Sequence, residues 1–222
     1  GWRHHERTPE GVRLDLPGYL THRGPTVRFV RDLLARTRER PGQWSCFGLH
    51  EWAMVYRTQP EQVRHVGWPL RLGHDGTDAV VEAHQLRCTH FDAFRFFTPD
   101  AVGRNALAPT RERQVDLEQP GCLHATMDLY KWSFKLAPGI PTALVMDAFS
   151  LAREARELDM RAAPYDLAAL GVEPIRVETA EGKATYVTEQ RRIAEQGEAL
   201  RARLVAACDL LLAGADAVRR AG

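Results

Sequence analysis

The sequence predicts a mainly helical α+β fold, one domain carrying two or three short β-hairpins. Three observations lead there. Apolar residues recur at steps of three and four, most clearly at Ile193, Gly197, Leu200, Leu204, Cys208 and Leu211. Turn-forming residues cut short β-like pieces near positions 8–11, 73–76 and 180–182. A chain of 222 residues, 44% hydrophobic and 27% charged, has the make-up of one globular domain, 1–222, with no tandem repeat, low-complexity tract or long linker.

Taken in order, Trp2 to Leu16 reads as a hairpin turning at Thr8, Pro9, Glu10 and Gly11. Gly24 and Pro25 open a helix, since proline at the first position forfeits no hydrogen bond. Val30, Leu33, Leu34 and Thr37 form its inner stripe, and Pro41 with Gly42 stops it. A second helix fits Phe47 to Arg57, with Leu49, Trp52, Ala53 and Tyr56 inward. Pro69 to Leu72 and Asp78 to Cys88 read as paired strands around Gly73 to Gly76. After a loop holding Pro99, Gly103 and Pro109, helices resume at Gly121 to Ala137 and Thr142 to Arg161, divided by Pro138 and Pro141. Pro174 to Glu178 and Lys183 to Val187 read as a further hairpin. The last helix is the one with the strongest period, ended by Gly214.

Charge and cysteine usage narrow the function classes. Thirty basic against 29 acidic side chains leave +1, which excludes a dominant polybasic footprint. Arg23, Arg28, Arg31, Arg36, Arg38 and Arg40 still gather on one helix, as phosphate contacts would want. Of the 30 basic residues only Lys131, Lys135 and Lys183 are lysine. No apolar run approaches a membrane span. The four cysteines form no C-x-x-C pair and follow no signal peptide, so a reduced, cytoplasmic protein is expected. Gly1 in place of Met suggests that a natural N-terminal segment is missing.

Three short segments join a thiol to an imidazole and a carboxyl: Cys46, His50 and Glu51; Cys88, His90 and Asp92; Cys122, His124 and Asp128. Imidazole, thiolate and carboxylate are ligand types for zinc or non-haem iron, though none of the spacings is that of a finger or of H-E-x-x-H. Buried cysteines also fill cores without function. If the strand from Asp78 runs on, its alternation places His84, Leu86, Cys88, His90 and Asp92 on one face, and Phe91, Phe94, Phe96 and Phe97 around it point to burial. His50, His84, His90 and His124 are the candidate metal ligands. His124, Asp128, Lys131 and Lys135 follow a helical stripe, suited either to a solvated ion pair or to a base, its orienting carboxylate and a cation for a developing anion. Asp147, inside an apolar stretch, reads as a buried acid or one half of an ion pair with an arginine such as Arg87 or Arg95. Glu157 and Asp159 near a helix C-terminus oppose the dipole and need a partner or a task.

Cys46 to Arg57, Arg87 to Phe97, Gln119 to His124, Met127 to Trp132 and Glu157 to Arg161 resemble a family of actinobacterial proteins labelled 3-methyladenine DNA glycosylase. The resemblance spans most of the chain, and the family extends further at its N-terminus. It implies a search for a helix-hairpin-helix, and Leu136 to Ala143 is similar in outline, with Pro141 where a second glycine would stand. A glycosylase of that kind carries a catalytic aspartate after the hairpin; Asp159 follows Thr142 by 17 residues, on what reads as a continuing helix.

The leading expectation is a hydrolase working from a pocket of His50, His84, His90, Asp92, His124, Asp128 and Lys131. A His/Asp pair would activate water there, aided by zinc or iron, on a small or nucleobase-containing substrate, with nucleic acid a candidate partner and no membrane. The alternative is a DNA N-glycosylase that flips an alkylated purine and uses Asp159 or Asp147. A third reading is a non-catalytic binding module whose polar residues form a structural network.

Overall fold

A capped, proline-tolerant first helix sets the frame. The computed structural model describes residues 3–63, 65 and 67–221. Gly1 and Trp2, at the expected opening of the hairpin, lie outside the described residues. Strands β1 (His5–Thr8) and β2 (Gly11–Leu14) pair antiparallel from His5 with Leu14 to Thr8 with Gly11. Helix α1 (Leu16–Glu39) begins eight residues before Gly24, because the Asp15 carboxylate accepts a hydrogen bond from the Gly18 N–H at 3.0 Å. Pro25 therefore sits inside the helix. The buried stripe Tyr19, Val27, Val30, Leu33, Leu34 and Thr37 supplies the packing that outweighs the backbone hydrogen bond it forgoes.

The short helices α2 (Leu49–Ala53), α3 (Gly73–Glu82), α4 (Phe91–Phe94), α5 (Pro99–Val102) and α6 (Gln114–Leu117) follow. Three long ones complete the chain: α7 (Leu123–Lys135), α8 (Thr142–Ala162) and α9 (Ala180–Ala221). Helix α9 lies along α1, α7 packs on α8, and both of these touch α9. Among the described residues no helix is long and apolar enough to cross a membrane.

The mainly helical α+β expectation holds, but with one hairpin among the described residues instead of two or three. Residues 73–82 are a helix, not a turn and strand. Their buried residues are Thr77, Val80 and Val81, a spacing of i, i+3 and i+4 that the β-branched pair disguises. Residues 180–187 likewise start α9: the Thr179 hydroxyl accepts from the Gly182 N–H at 3.0 Å, a helix cap where a strand turn was expected. Gly214 does not end α9. A Cβ there would stand 2.6 Å from a Leu16 methyl, so the glycine permits a close helix crossing.

The core runs through all four long helices and takes in Leu49, Trp52 and Ala53 of α2. Trp52 is fully buried, and its indole N–H donates to the Ala162 carbonyl at 2.9 Å. That bond fixes α2 to the last turn of α8, which brings His50 and Glu51 against the same helix. Replacing Trp52 by Phe leaves the carbonyl unsatisfied in a buried place. Urea unfolding of Trp52→Phe is expected to show a loss of about 1–3 kcal/mol at unchanged m-value.

Candidate functional site

Two buried clusters meet at the N-terminal end of α7. In the first, His50 on α2 places Nε2 at 3.2 Å from Oδ1 and 3.3 Å from Oδ2 of Asp159 on α8. Its other ring nitrogen lies 3.5 Å from the Cys46 sulfur. Arg156, one helical turn before Asp159, reaches that carboxylate at 3.2 Å and Glu51 at 2.7 Å. The ring of His124 packs edge-on against His50 with centroids 4.6 Å apart.

In the second cluster His90 places Nε2 at 3.2 Å from Asp128 and 3.3 Å from Glu118. Gln114 donates to the same Glu118 oxygen, and the Lys131 ammonium bonds both Asp128 and, at 3.1 Å, Asp92. His124 joins the clusters, its ring tilted against His90 at 5.4 Å between centroids. Two groups thus gather donor atoms as a metal ion requires, His50 with His124 and Asp159, and His90 with Glu118 and Asp128, each within 4.8 Å of one another. Buried His, Asp and Glu groups of this kind can hold a metal ion.

Burial and pairing set the protonation states. Burial disfavours a charged His50, but the Asp159 carboxylate and then Cys46 overcome it and hold the imidazole well above its usual range. Asp159 is held well below the carboxylate range, its burial outweighed by His50, His124 and Arg156. His90 is raised against its own burial by Asp128 and Glu118, and Asp128 is lowered against burial by His90 and Lys131. Burial raises Glu118. His124 goes the other way. Burial and the neighbouring His50 lower it to about 3, so it stays a neutral imidazole. Among the described residues no hydrogen bond engages its ring nitrogens.

A narrow pocket opens onto this ring. It is lined by Gln43, Cys46, His50, Arg87, Cys88, Gln119, Cys122, His124 and Tyr186 among others, and its free interior of about 10 Å³ suits one water molecule. Burial pushes the Cys88 and Cys122 thiols upward, away from the reactive thiolate.

The structure therefore brings together His50, His90, His124, Asp128 and Asp159, with Lys131 and Asp92 on the outer side. It does not bring in His84, which follows α3 and bonds the Val80 carbonyl at 2.6 Å. Among the described residues no strand carries it: an irregular segment follows α3, in which Leu86, Cys88, Thr89 and His90 are all buried. Asp147 is no buried acid: its half-exposed side chain pairs with Arg203 at 2.8 Å, not with Arg87 or Arg95. Lys135 lies over the Trp132 ring. Glu118, Gln114 and Arg156 were missed, Glu51 entered only as the carboxyl beside His50, and the run of carboxyls near α8's C-terminus hinted at Arg156. The arginine cluster on α1 is partly paired with carboxylates, as a solvated helix face would be. Arg31 pairs with Asp209, Arg36 with Asp116 and Arg38 with Glu198, while Arg40 donates to the Glu118 carbonyl. In the hairpin-like segment, Gly139 accommodates the Tyr19 ring, 2.7 Å from where a Cβ would stand.

No family model, curated protein or solved structure matches the chain. What the site can do is read from its geometry.

Two outcomes follow for the metal-free protein. Arg156→Met strands Glu51 and Asp159, which are almost fully buried, so thermal or urea melts should show a loss of about 2–4 kcal/mol, tempered by the 40% exposure of the guanidinium. The unfolded chain protonates His124 near its ordinary 6.5, the folded one only near 3. Its contribution is complete above 6.5 and is lost as pH falls toward 3. His124→Gln should flatten that limb of the stability–pH profile.

Proposed function

We propose that this chain is a hydrolase that activates water at a zinc or iron ion held by His50, His124 and Asp159. The observation that carries the reading is His124, a neutral imidazole that no hydrogen bond engages among the described residues, facing a water-sized pocket beside a buried His–Asp pair. Two imidazoles and one carboxylate fit either metal. When bound, the ion would supply a water of lowered pKa.

The remaining roles belong to the chain itself. Cys46 orients His50 through the nitrogen that faces away from Asp159, and Arg156, held by Glu51, fixes the carboxylate. Arg87 lines the pocket and is the cation placed to meet a developing oxyanion, whereas Lys131 is engaged by Asp128 and Asp92. The space beyond the water is small. The substrate therefore presents its reacting group beside the exposed lining residues Gln43 and Arg87, which suits a small molecule or an exposed end of a nucleobase-containing one.

The resemblance to the 3-methyladenine DNA glycosylase family supports the alternative reading. Asp159 would then act on the glycosidic bond, but its complete burial and the narrow pocket weigh against a flipped base reaching it. Elemental analysis of the purified protein, followed by hydrolysis assays on small esters, amides and nucleosides, tests the leading reading. Zinc or iron should be bound, and His124→Asn and Asp159→Asn should lose it along with at least ~100-fold in rate, at unchanged circular dichroism. Cys46→Ala should weaken metal binding about 10–100-fold. A metal-free protein with full activity overturns the metal. Release of free base from alkylated duplex DNA, lost in Asp159→Asn, would favour the glycosylase. Destabilisation of His90→Ala and His124→Ala, with no turnover on any substrate, would leave a binding module.

A further inference from the structure

We propose that His90, Glu118 and Asp128 hold a second divalent cation, which makes the working centre dinuclear. The inference rests on the preceding reading for the first ion, but the second set of donors stands on its own geometry. Glu118 and Asp128 come from different segments, one just past α6 and the other within α7, and both turn a carboxylate oxygen to the same nitrogen of His90. All three side chains are nearly or wholly removed from water. One imidazole nitrogen carries a single proton or a single lone pair, and here the hydrogen bond goes to Asp128. The Glu118 oxygen, at a similar distance, is drawn to the same point without that bond. A divalent cation at this point accepts all three donors at once and neutralises two buried carboxylates.

The cation demand is visible in what already approaches. Lys131 extends its ammonium onto Asp128, the oxygen that also faces His90, and divides itself between that carboxylate and Asp92. Its side chain is 27% exposed, so it can withdraw toward Asp92 and solvent when a stronger charge enters. A compact ammonium competes for a cation position as a planar guanidinium would not, which gives a reason for lysine in a chain that otherwise favours arginine. The first and second donor sets are adjacent through one ring, since His124 packs against both His50 and His90. Two ions held in these neighbouring sets could together clamp the attacking and departing oxygens of a hydrolytic displacement. One imidazole and two carboxylates form the harder, oxygen-rich set, suited to Mn²⁺, Fe²⁺ or Zn²⁺.

Equilibrium dialysis of the stripped full chain against Mn²⁺ and, separately, Zn²⁺ reads the stoichiometry without any substrate. Two ions per chain are expected in the unaltered protein, and one in each of Glu118→Gln, Asp128→Asn and Asp159→Asn. Lys131→Met should tighten the second ion about tenfold by removing its competitor. Electron paramagnetic resonance of the Mn²⁺-loaded protein should show exchange coupling, absent in Glu118→Gln. One ion per chain, lost in Asp159→Asn but kept in Glu118→Gln, overturns the dinuclear centre and leaves the single-ion hydrolase standing. One ion lost only in Glu118→Gln overturns both the dinuclear centre and the assignment of the first site. No bound ion overturns both proposals.

Discussion

Asp159 lies in the middle of the protein with no exposure to water, yet it is held in its charged form. An ionised carboxylate in such a place is tolerated only if opposite charge and hydrogen bonds replace its lost hydration, a deficit of several kcal/mol. The chain meets this demand twice. Arg156 comes from the same helix, at the spacing that puts side chains over one another, and His50 comes from 109 residues away. The second requirement shapes the fold. Helix α2 has only five residues, too short to stand alone, and all five are buried. It is kept in place by the Trp52 bond to the end of α8, by its apolar contacts, and by Glu51 closing on Arg156. Once His50 is delivered to Asp159, the N-terminal end of α7 fills the remaining space with His124, and the next turn of α7 sets Asp128 against His90.

The same helix shows what a linear sequence can and cannot reveal. Asp147 and Asp159 both stand among apolar residues of α8 and both read as acids in need of an explanation. They are twelve residues apart, and at about 100° per residue that separates their directions by roughly 120°. One ends at the surface beside Arg203, the other in the core. The apolar neighbours of Asp147 include Met146 and Phe149, both exposed, so local hydrophobicity misjudged its side of the helix. Helices α7 and α8 were legible because Pro138 and Pro141 delimit them and their apolar period is plain. Helix α3 was not, because Thr77, Val80 and Val81 favour strands by type while repeating like a helix. His50, His90 and His124 could be picked out by their company of cysteines and carboxyls. Glu118 could not, since nothing local distinguishes a buried glutamate from a solvated one, and Glu51 stood out only through its place beside Cys46 and His50. Their convergence is a product of tertiary packing.

The lopsided basic composition resolves along similar lines. Most of the arginines on α1 that invited a nucleic-acid reading are spent on carboxylates of α6 and α9 or on a backbone carbonyl. Exposed pairs of this kind add little stability, about 0–1 kcal/mol each, but they weaken the local field that a phosphate backbone would need. The lysines have different surroundings: Lys131 and Lys135 flank the Trp132 ring, and Lys131 alone reaches the buried carboxylates. Charge balance over the whole chain hid both facts, because it averages an engaged surface with an unevenly charged interior.

A structural network would account for the same contacts, and the difference lies in what the fold gains from them. Replacing buried ion pairs by apolar side chains of similar volume is commonly neutral or favourable to stability, since the desolvation of every charge is then avoided. Leu or Phe at the positions of His90, Glu118, Asp128 and Asp159 would fill the space between α4, α7 and α8 at lower electrostatic cost. A network meant only for rigidity would also leave its members satisfied. Here, among the described residues, no hydrogen bond engages the His124 ring, and the His90 Nδ1 atom is buried without a partner. Polar groups left open beside a water-sized pocket contribute little to holding the helices together. They are suited to binding a cation and a water molecule, which is why the metal reading accounts for more of the cluster than a purely structural one.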